Sequence, residues 1–225
     1  MTDIRGIIFD LDGVIAHTAE FHYLSWKQLA DEEGLPFTRA DYVPMNGTKR
    51  EENLRLFTQG LDIDEATKQA WMARKNRYLV ERIEQLQPQD AALGILRLLD
   101  ESQAAGIKVA IGSASRNAKL VLKHLQLTDR FEVIGDGNTV VNSKPQPDIF
   151  IWVAGALRLR PQDLLVIEDS QAGVQAARHG GFYVLGLGEQ SGQKAHAHLP
   201  NLADVSLLEI FELVCHDDSV QLSHN

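Results

Sequence analysis

Carboxylates, hydroxyls and a lysine occur in four short motifs, and each motif follows a run of apolar residues, directly in three cases and after a loop in the fourth. Hard carboxylate oxygens are the ligands that Mg²⁺ prefers, whereas hydroxyls and a lysine are suited to binding a phosphate. A carboxylate beside a metal can also attack phosphorus and carry it as an aspartyl-phosphate. The motifs therefore predict phosphate chemistry at a metal. Their residues, in chain order, are Asp10, Asp12, Ser113, Lys144, Glu168 and Asp169.

The apolar runs before these motifs are short, as expected for strands buried on both faces of a parallel sheet. We predict strands at 4–9, 107–111, 131–134, 164–167 and 182–185. Helical segments separate the later strands, so the fold class is α/β, with a doubly wound, Rossmann-like parallel sheet. Ligands of such sheets bind beyond the carboxyl ends of the strands, where the four motifs would meet.

Residues 17–90 contain no convincing strand and are too many for a simple crossover between two strands. We predict helices at 18–33, 49–58 and 65–86. This segment is therefore interpreted as an inserted helical cap domain, and residues 1–16 and 91–225 as the core domain. A last helix is predicted at 204–214.

The composition excludes several classes of function. A net charge of −9 and a pI near 5.3 argue against a nucleic-acid partner, because nucleic-acid binding normally needs a basic face. No apolar stretch is long enough for a signal peptide or a membrane span. The single cysteine, Cys215, fits a reducing compartment. We expect a cytoplasmic monomer that binds a small molecule and no membrane.

The motifs resemble those of the haloacid-dehalogenase-like phosphotransferases, and within that superfamily the β-phosphoglucomutase family. The matching stretches are DLDGV from Asp10, SAS from Ser113, SKP at 143–145 and EDSQAG from Glu168. The resemblance covers about residues 4–188. It implies a Mg²⁺-dependent enzyme with Asp10 as nucleophile and Asp12 as general acid and base.

Further roles follow from the same resemblance. It implies a metal site made by Asp10, Asp12, Glu168 and Asp169, with Asp12 binding through its backbone carbonyl. Ser113 and Lys144 would act on the phosphate. Thr18 matches a threonine of the family signature, whereas His17 stands where an aspartate is usual.

The segment after the second strand is also predicted to bind phosphate. Ser115 is a good helix N-cap residue, and the free N–H groups at a helix N-terminus bind anions. The residues concerned are Ser113, Ala114, Ser115, Arg116 and Asn117.

The resemblance extends into the cap, where it implies contacts with the sugar and with its distal phosphate. Asn46 replaces a lysine usual in the family, and Lys49 is expected to supply positive charge nearby. The implied substrate-binding residues of the cap are His22, Trp26, Gly47, Arg50, Lys75 and Asn76.

Three functions are compatible with these features. The first is a sugar phosphomutase that interconverts β-D-glucose 1-phosphate and glucose 6-phosphate through phospho-Asp10 and β-glucose 1,6-bisphosphate. The second is a Mg²⁺-dependent phosphatase of small sugar phosphates, which the replacement at Asn46 keeps open. A distant third is a receiver-type signalling domain, although such domains are about half this length and lack a cap.

Overall fold

The computed structural model describes residues 4–221, with side chains described as far as Cys215. Within that range six strands form one sheet in the order β3-β2-β1-β4-β5-β6, and all neighbouring strands are parallel. Residues 1–3 and 222–225 of the predicted core domain lie outside the described residues. The strands are β1 (Gly6–Phe9), β2 (Lys108–Gly112), β3 (Val133–Gly135), β4 (Leu164–Glu168), β5 (Tyr183–Leu187) and β6 (Ala197–Leu199).

Helices cover both faces of this sheet, which explains why its strands are apolar throughout. Successive side chains of a strand point to opposite faces, so Ile7 and Phe9 enter one hydrophobic cluster and Ile8 enters the other. The doubly wound sheet is thereby confirmed. The helices of this part are α5 (Ile95–Ala104), α6 (Ala118–His124), α7 (Asp148–Leu157), α8 (Gln171–His179) and α9 (Leu207–Gln221).

A helical cap lies between β1 and α5, and it has a hydrophobic cluster of its own. Trp26, Leu29 and Tyr78 belong to this cluster, whereas Leu79 and Ile83 pack with the sheet. Helix α4 therefore joins the two parts. The inserted cap is confirmed, while its exact limits of 17–90 stay a prediction. Its helices are α1 (Thr18–Glu32), α2 (Arg39–Tyr42), α3 (Arg50–Phe57) and α4 (Glu65–Ile83).

Two short elements were missed and one boundary was wrong. The sequence did not indicate α2 or β6, which have four and three residues. Helix α6 begins at Ala118, not at Ser115. The preceding residues form a turn, because the hydroxyl oxygens of Ser113 and Ser115 each accept a hydrogen bond from the backbone N–H two residues further on. Among the described helices, none is long and apolar enough to cross a bilayer.

Candidate active site

The register of the sheet brings the four motifs to one edge. Phe9 pairs with Ile111 of β2 and with Ile167 of β4. Asp10 therefore lies between the end of β2, which leads to Ser113, and the end of β4, which is Glu168. The sequence-based expectation that the motifs meet beyond the strand ends agrees with this arrangement.

Lys144 joins the first and last motifs. Its ammonium donates one hydrogen bond to Asp10 Oδ1 and another to Glu168 Oε1, each of 2.6 Å. All three side chains are almost entirely buried. Burial alone would lower the pKa of Lys144, but the two carboxylates outweigh it and raise that pKa. Lys144 is therefore a permanently charged partner of Asp10.

Asp10, Glu168 and Asp169 form the acidic cluster of this edge. One carboxylate oxygen from each lies within 4.8 Å of the others. Burial, together with the neighbouring carboxylates, raises the pKa of Asp10 to about 8 and that of Asp169 well above its usual value. Lys144 brings one positive charge to these three carboxylates, which leaves negative charge in excess. The cluster is therefore suited to a divalent cation with oxygen ligands. The side chain of Asp12 lies outside this group of three.

The carboxylate of Asp12 instead faces the first helix of the cap. Thr18 Oγ1 donates to its Oδ1 at 2.6 Å, and His22 Nε2 lies 3.7 Å from the same oxygen. Burial raises the pKa of Asp12, although the hydrogen bond from Thr18 opposes that effect. A carboxyl group that holds its proton more tightly is suited to exchanging one with a sugar hydroxyl.

A buried lysine of α4 lies beside His22. Lys75 Nζ is 3.3 Å from His22 Nδ1 and 5.3 Å from the centre of the Trp26 ring. Burial, with Arg50 nearby, lowers the pKa of Lys75 to about 7. Burial and Lys75 also lower the pKa of His22 well below its usual value, so His22 is neutral at pH 7. Among the described residues, His22 Nε2 and Trp26 Nε1 have no hydrogen-bond partner, which leaves both for a ligand.

Arg50 and two asparagines connect the cap to the core beside a small cavity. Asn76 Oδ1 accepts from Arg50 Nη2 at 2.9 Å and from Asn117 Nδ2 at 3.1 Å. Arg116 forms an ion pair with Glu51 of the cap. A phosphate in the cavity would therefore meet guanidinium and amide donors from both parts.

The cavity between these side chains has a volume of about 20 Å³, which is room for about one water molecule. A hexose phosphate is far larger than this volume, so binding one here would require the cap to move. Most of the predicted cap and loop residues line this cavity. The lining includes His22, Trp26, Arg50, Lys75, Asn76, Ala114, Ser115, Arg116 and Asn117, and also four residues that the sequence did not indicate, namely Thr48, Asn53, Met72 and Leu79.

Gly47 and Asn46 lie elsewhere. A Cβ at Gly47, whose φ is +75°, would be 2.1 Å from Ser170 Oγ, so this position needs glycine to contact the core. Asn46 Nδ2 donates to Gln190 Oε1 at 3.4 Å beside a separate cavity of about 570 Å³, which Lys144 also borders. A phosphate contact by Gly47 stays a prediction. His17 is the N-cap residue of α1 but makes no capping hydrogen bond through its side chain.

Lys49 does not supply charge to the cavity as expected. Its ammonium is directed to the backbone carbonyls of Val140 and Val141 in the core. Neither its charge nor its proximity in sequence to Arg50 could have indicated that orientation. A long, flexible side chain takes its partner from the tertiary structure.

Known proteins resemble this chain both in sequence and in fold. A family model for haloacid dehalogenase-like hydrolases matches residues 7–187. A β-phosphoglucomutase of Bacillus subtilis is 40% identical over 190 residues, which cover 83% of this chain and 84% of the relative. The crystal structure of a β-phosphoglucomutase from Clostridium difficile matches with a TM-score of 0.90 at 32% identity, over 96% of this chain and 99% of that one.

A phosphorylated carbohydrates phosphatase of Thermotoga maritima is also similar, with 28% identity over 183 residues that cover 79% of this chain and 82% of the relative. Membership of such a family argues against a receiver-type signalling domain. The chain is an enzyme of the haloacid dehalogenase-like hydrolase family, in the group that contains the β-phosphoglucomutases.

Proposed function

We propose that the chain is a sugar phosphomutase that interconverts β-D-glucose 1-phosphate and glucose 6-phosphate. The observation that carries this proposal is the small cavity between the cap and the core, which is lined by Arg50 and Lys75 of the cap and by the turn at 114–117 of the core. Asp12 lies beside it, 3.7 Å from the lining residue His22, and Asp10 lies at the same edge of the sheet. A mutase must hold one phosphate of its intermediate at the nucleophile and the other at a distance, which this arrangement allows.

The reaction begins with a phosphoryl group on Asp10. The 6-hydroxyl oxygen of β-glucose 1-phosphate attacks this phosphorus, and the bond from phosphorus to the Asp10 carboxylate breaks. Asp12 takes the proton of that hydroxyl. The product of this half-reaction is β-glucose 1,6-bisphosphate beside a free Asp10 carboxylate.

The bisphosphate then turns around, so that its C1 phosphate faces Asp10. Asp10 attacks this phosphorus, and Asp12 returns its proton to the leaving C1 oxygen. Glucose 6-phosphate leaves, and phospho-Asp10 is restored. Thr18 holds the Asp12 carboxylate in place through both steps.

Lys144 and Ser113 support the transfer from the core. The hydrogen bond of Lys144 to Asp10 Oδ1 leaves the other oxygen of Asp10 for phosphorus. Ser113 and the turn that follows it would donate to the phosphate oxygens. These roles rest on the family resemblance and on the placement of the side chains at one sheet edge.

Mg²⁺ is the proposed cofactor, because the acidic cluster offers hard oxygen ligands and the lysine alone does not balance its charge. Asp10, Glu168, Asp169 and the backbone carbonyl of Asp12 would hold it. Bound Mg²⁺ would neutralise the clustered charge, keep Asp10 ionised and draw electron density from the phosphate. We further propose that the protein is a cytoplasmic monomer with a cap at 17–90. The single cysteine supports the reducing compartment, and the helical pattern supports the limits of the cap.

The cap residues would orient the sugar and bind its distal phosphate. A guanidinium holds a phosphate through two parallel hydrogen bonds, so Arg50 is the proposed clamp. Lys75 and the free polar atoms of His22 and Trp26 would bind sugar hydroxyls.

The alternative is a phosphatase of small sugar phosphates, since a relative at 28% identity is named as one. The two functions share phospho-Asp10 and differ in the acceptor, which is a sugar hydroxyl or water. The test combines the enzyme with β-glucose 1-phosphate, Mg²⁺ and a trace of β-glucose 1,6-bisphosphate. Glucose 6-phosphate and free phosphate are then followed in the same sample.

We expect glucose 6-phosphate to form much faster than free phosphate. Arg50→Ala should impair isomerisation more than the hydrolysis of acetyl phosphate, which has no distal phosphate. Arg55→Ala is the matched control, because Arg55 lies on the same helix and pairs with Glu52 at the surface. Release of free phosphate at the full rate, without glucose 6-phosphate from either anomer, would establish the phosphatase instead.

A further inference from the structure

Lys49 links the cap to a loop of the core through two separate groups. Its ammonium donates to the carbonyl of Val140 and, at 3.1 Å, to that of Val141. Its backbone N–H donates to Ser143 Oγ at 2.8 Å. Lys49 is only 9% exposed. One residue of the cap thus binds three residues of a four-residue stretch.

This stretch leads directly to Lys144. The residue after Ser143 is the lysine whose ammonium bonds both Asp10 and Glu168. A displacement of 140–143 would therefore be transmitted through one peptide bond to the group that holds the nucleophile.

Arg50, the residue after Lys49, borders the small cavity between the cap and the core, and it donates to Asn76. Two adjacent residues of the cap thus have different contacts. Arg50 borders the substrate cavity, whereas Lys49 contacts the loop before Lys144. Because Lys49 is the N-cap residue of helix α3 and Arg50 is the first residue of that helix, the two residues cannot move independently.

Carbonyl oxygens are weak partners for a buried ammonium. Among the described residues no carboxylate forms an ion pair with Lys49, and burial lowers its pKa. Such a group costs stability relative to an apolar side chain of similar length. Its position therefore points to a role in joining the two parts rather than in stabilising either.

We propose that Lys49 is a positioning residue that fastens the closed cap to the loop at 140–143 and so couples cap closure to the placement of Lys144 beside Asp10. When the cap opens, the loop loses this support and Lys144 is less firmly held. Phosphoryl transfer is then favoured with substrate enclosed, and attack by water on phospho-Asp10 in the open state is disfavoured. The kinetic part of this inference rests on the proposed mutase function.

The first test needs no substrate. Amide hydrogen exchange is followed by mass spectrometry over residues 139–144 in the wild type and in Lys49→Met, Lys49→Arg and Lys68→Met. Lys68 is the matched control, since it is a cap lysine that pairs only distantly with Glu65, at 3.9 Å. We expect exchange in this segment to be about tenfold faster in Lys49→Met, as for the loss of a charge-assisted hydrogen bond.

Lys49→Arg should restore most of the protection, because a guanidinium can donate to two neighbouring carbonyls. Lys68→Met should exchange like the wild type. Unchanged protection in Lys49→Met would overturn the proposal, as would an equal rise throughout the chain, which would indicate general destabilisation.

The second test uses turnover. Lys49→Met should lower the rate of glucose 6-phosphate formation about tenfold, the scale of one lost charge-assisted contact. The hydrolysis of acetyl phosphate, which needs no closed cap, should change much less. A purely structural role for Lys49 would lower both activities equally, and that result would overturn the coupling. If the wild type itself forms no glucose 6-phosphate, the mutase proposal fails, while hydrogen exchange still decides whether Lys49 fastens the loop.

Discussion

At the scale of single residues, two aspartates of one turn have different surroundings. Asp10 is held by a buried lysine of the core, whereas Asp12 is held by a threonine of the cap helix α1. The first arrangement favours a fixed carboxylate that attacks phosphorus. The second favours a carboxyl that exchanges a proton and responds to the position of the cap.

This difference predicts different results for two matching substitutions. Asp10→Asn removes the nucleophile, so no phosphoryl-enzyme should form. Asp12→Asn should keep metal binding but slow turnover by about 10²-fold or more, the usual contribution of a positioned acid and base. Mass spectrometry after acid quenching detects the phosphoryl-enzyme, and a coupled assay gives the rate. Turnover by Asp10→Asn at the wild-type rate would refute the covalent route.

The sequence indicated which residues form the site better than it indicated their contacts. Asp10 and Lys144 are 134 positions apart, but both follow strand-like runs, so a parallel sheet brings them together. The direction of Lys49 and the contact of Gly47 with Ser170 depend on how the cap rests on the core. No local pattern encodes that placement.

At the scale of elements, the strands buried on both faces were predictable because burial leaves continuous apolar runs. Strand β6 was missed, since it is a three-residue edge strand and none of its residues is fully buried. The start of α6 was misplaced because serine suits both helix caps and turns, and here its hydroxyls bind the turn. Long helices with apolar faces, such as α1 and α4, were found with small errors at their ends.

The buried position of Lys75 on helix α4 should lower the free energy of unfolding of the protein. Lys75 is buried on this helix, and its pKa of about 7 lies below the value of about 10.4 of an exposed lysine. Between these values the unfolded chain binds more protons, so the destabilisation by Lys75 is complete below pH 7 and disappears as the pH approaches 10.4.

Lys75→Met should therefore raise the free energy of unfolding at pH 7, by at most about 5 kcal/mol, and by much less at pH 9.5. The same substitution should lower activity, since Lys75 faces the cavity. Urea unfolding at both pH values gives the difference between variant and wild type. Lys68→Met serves as the control on the same helix, and a gain in stability that does not decrease with pH would contradict this account of Lys75.

At the scale of the whole molecule, the cap and the core meet over a cavity of about 20 Å³, too small for the proposed substrate. Beside this cavity, polar contacts join charged or amide groups across the two parts. Water can replace such partners more readily than it can separate two apolar surfaces. The same chain can therefore close around a sugar and open again to release it.

The metal should stabilise the molecule as a whole, because its proposed ligands come from both ends of the core. Asp10 precedes the cap in sequence, while Glu168 and Asp169 follow it. Binding only to the folded state adds about 2.7 kcal/mol at a concentration one hundred times the dissociation constant. For a chain of this size, that corresponds to a rise in melting temperature of about 5–10 °C.

We therefore expect thermal unfolding in Mg²⁺ to occur at a higher temperature than in EDTA. Activity should be lost in EDTA and restored by excess Mg²⁺. Asp169→Asn is the diagnostic variant, because it relieves repulsion among the clustered carboxylates while removing a ligand. It should melt higher than the wild type in EDTA and should gain much less from Mg²⁺. Equal melting temperatures of the wild type with and without Mg²⁺, together with full activity in excess chelator, would show that the acidic cluster needs no metal.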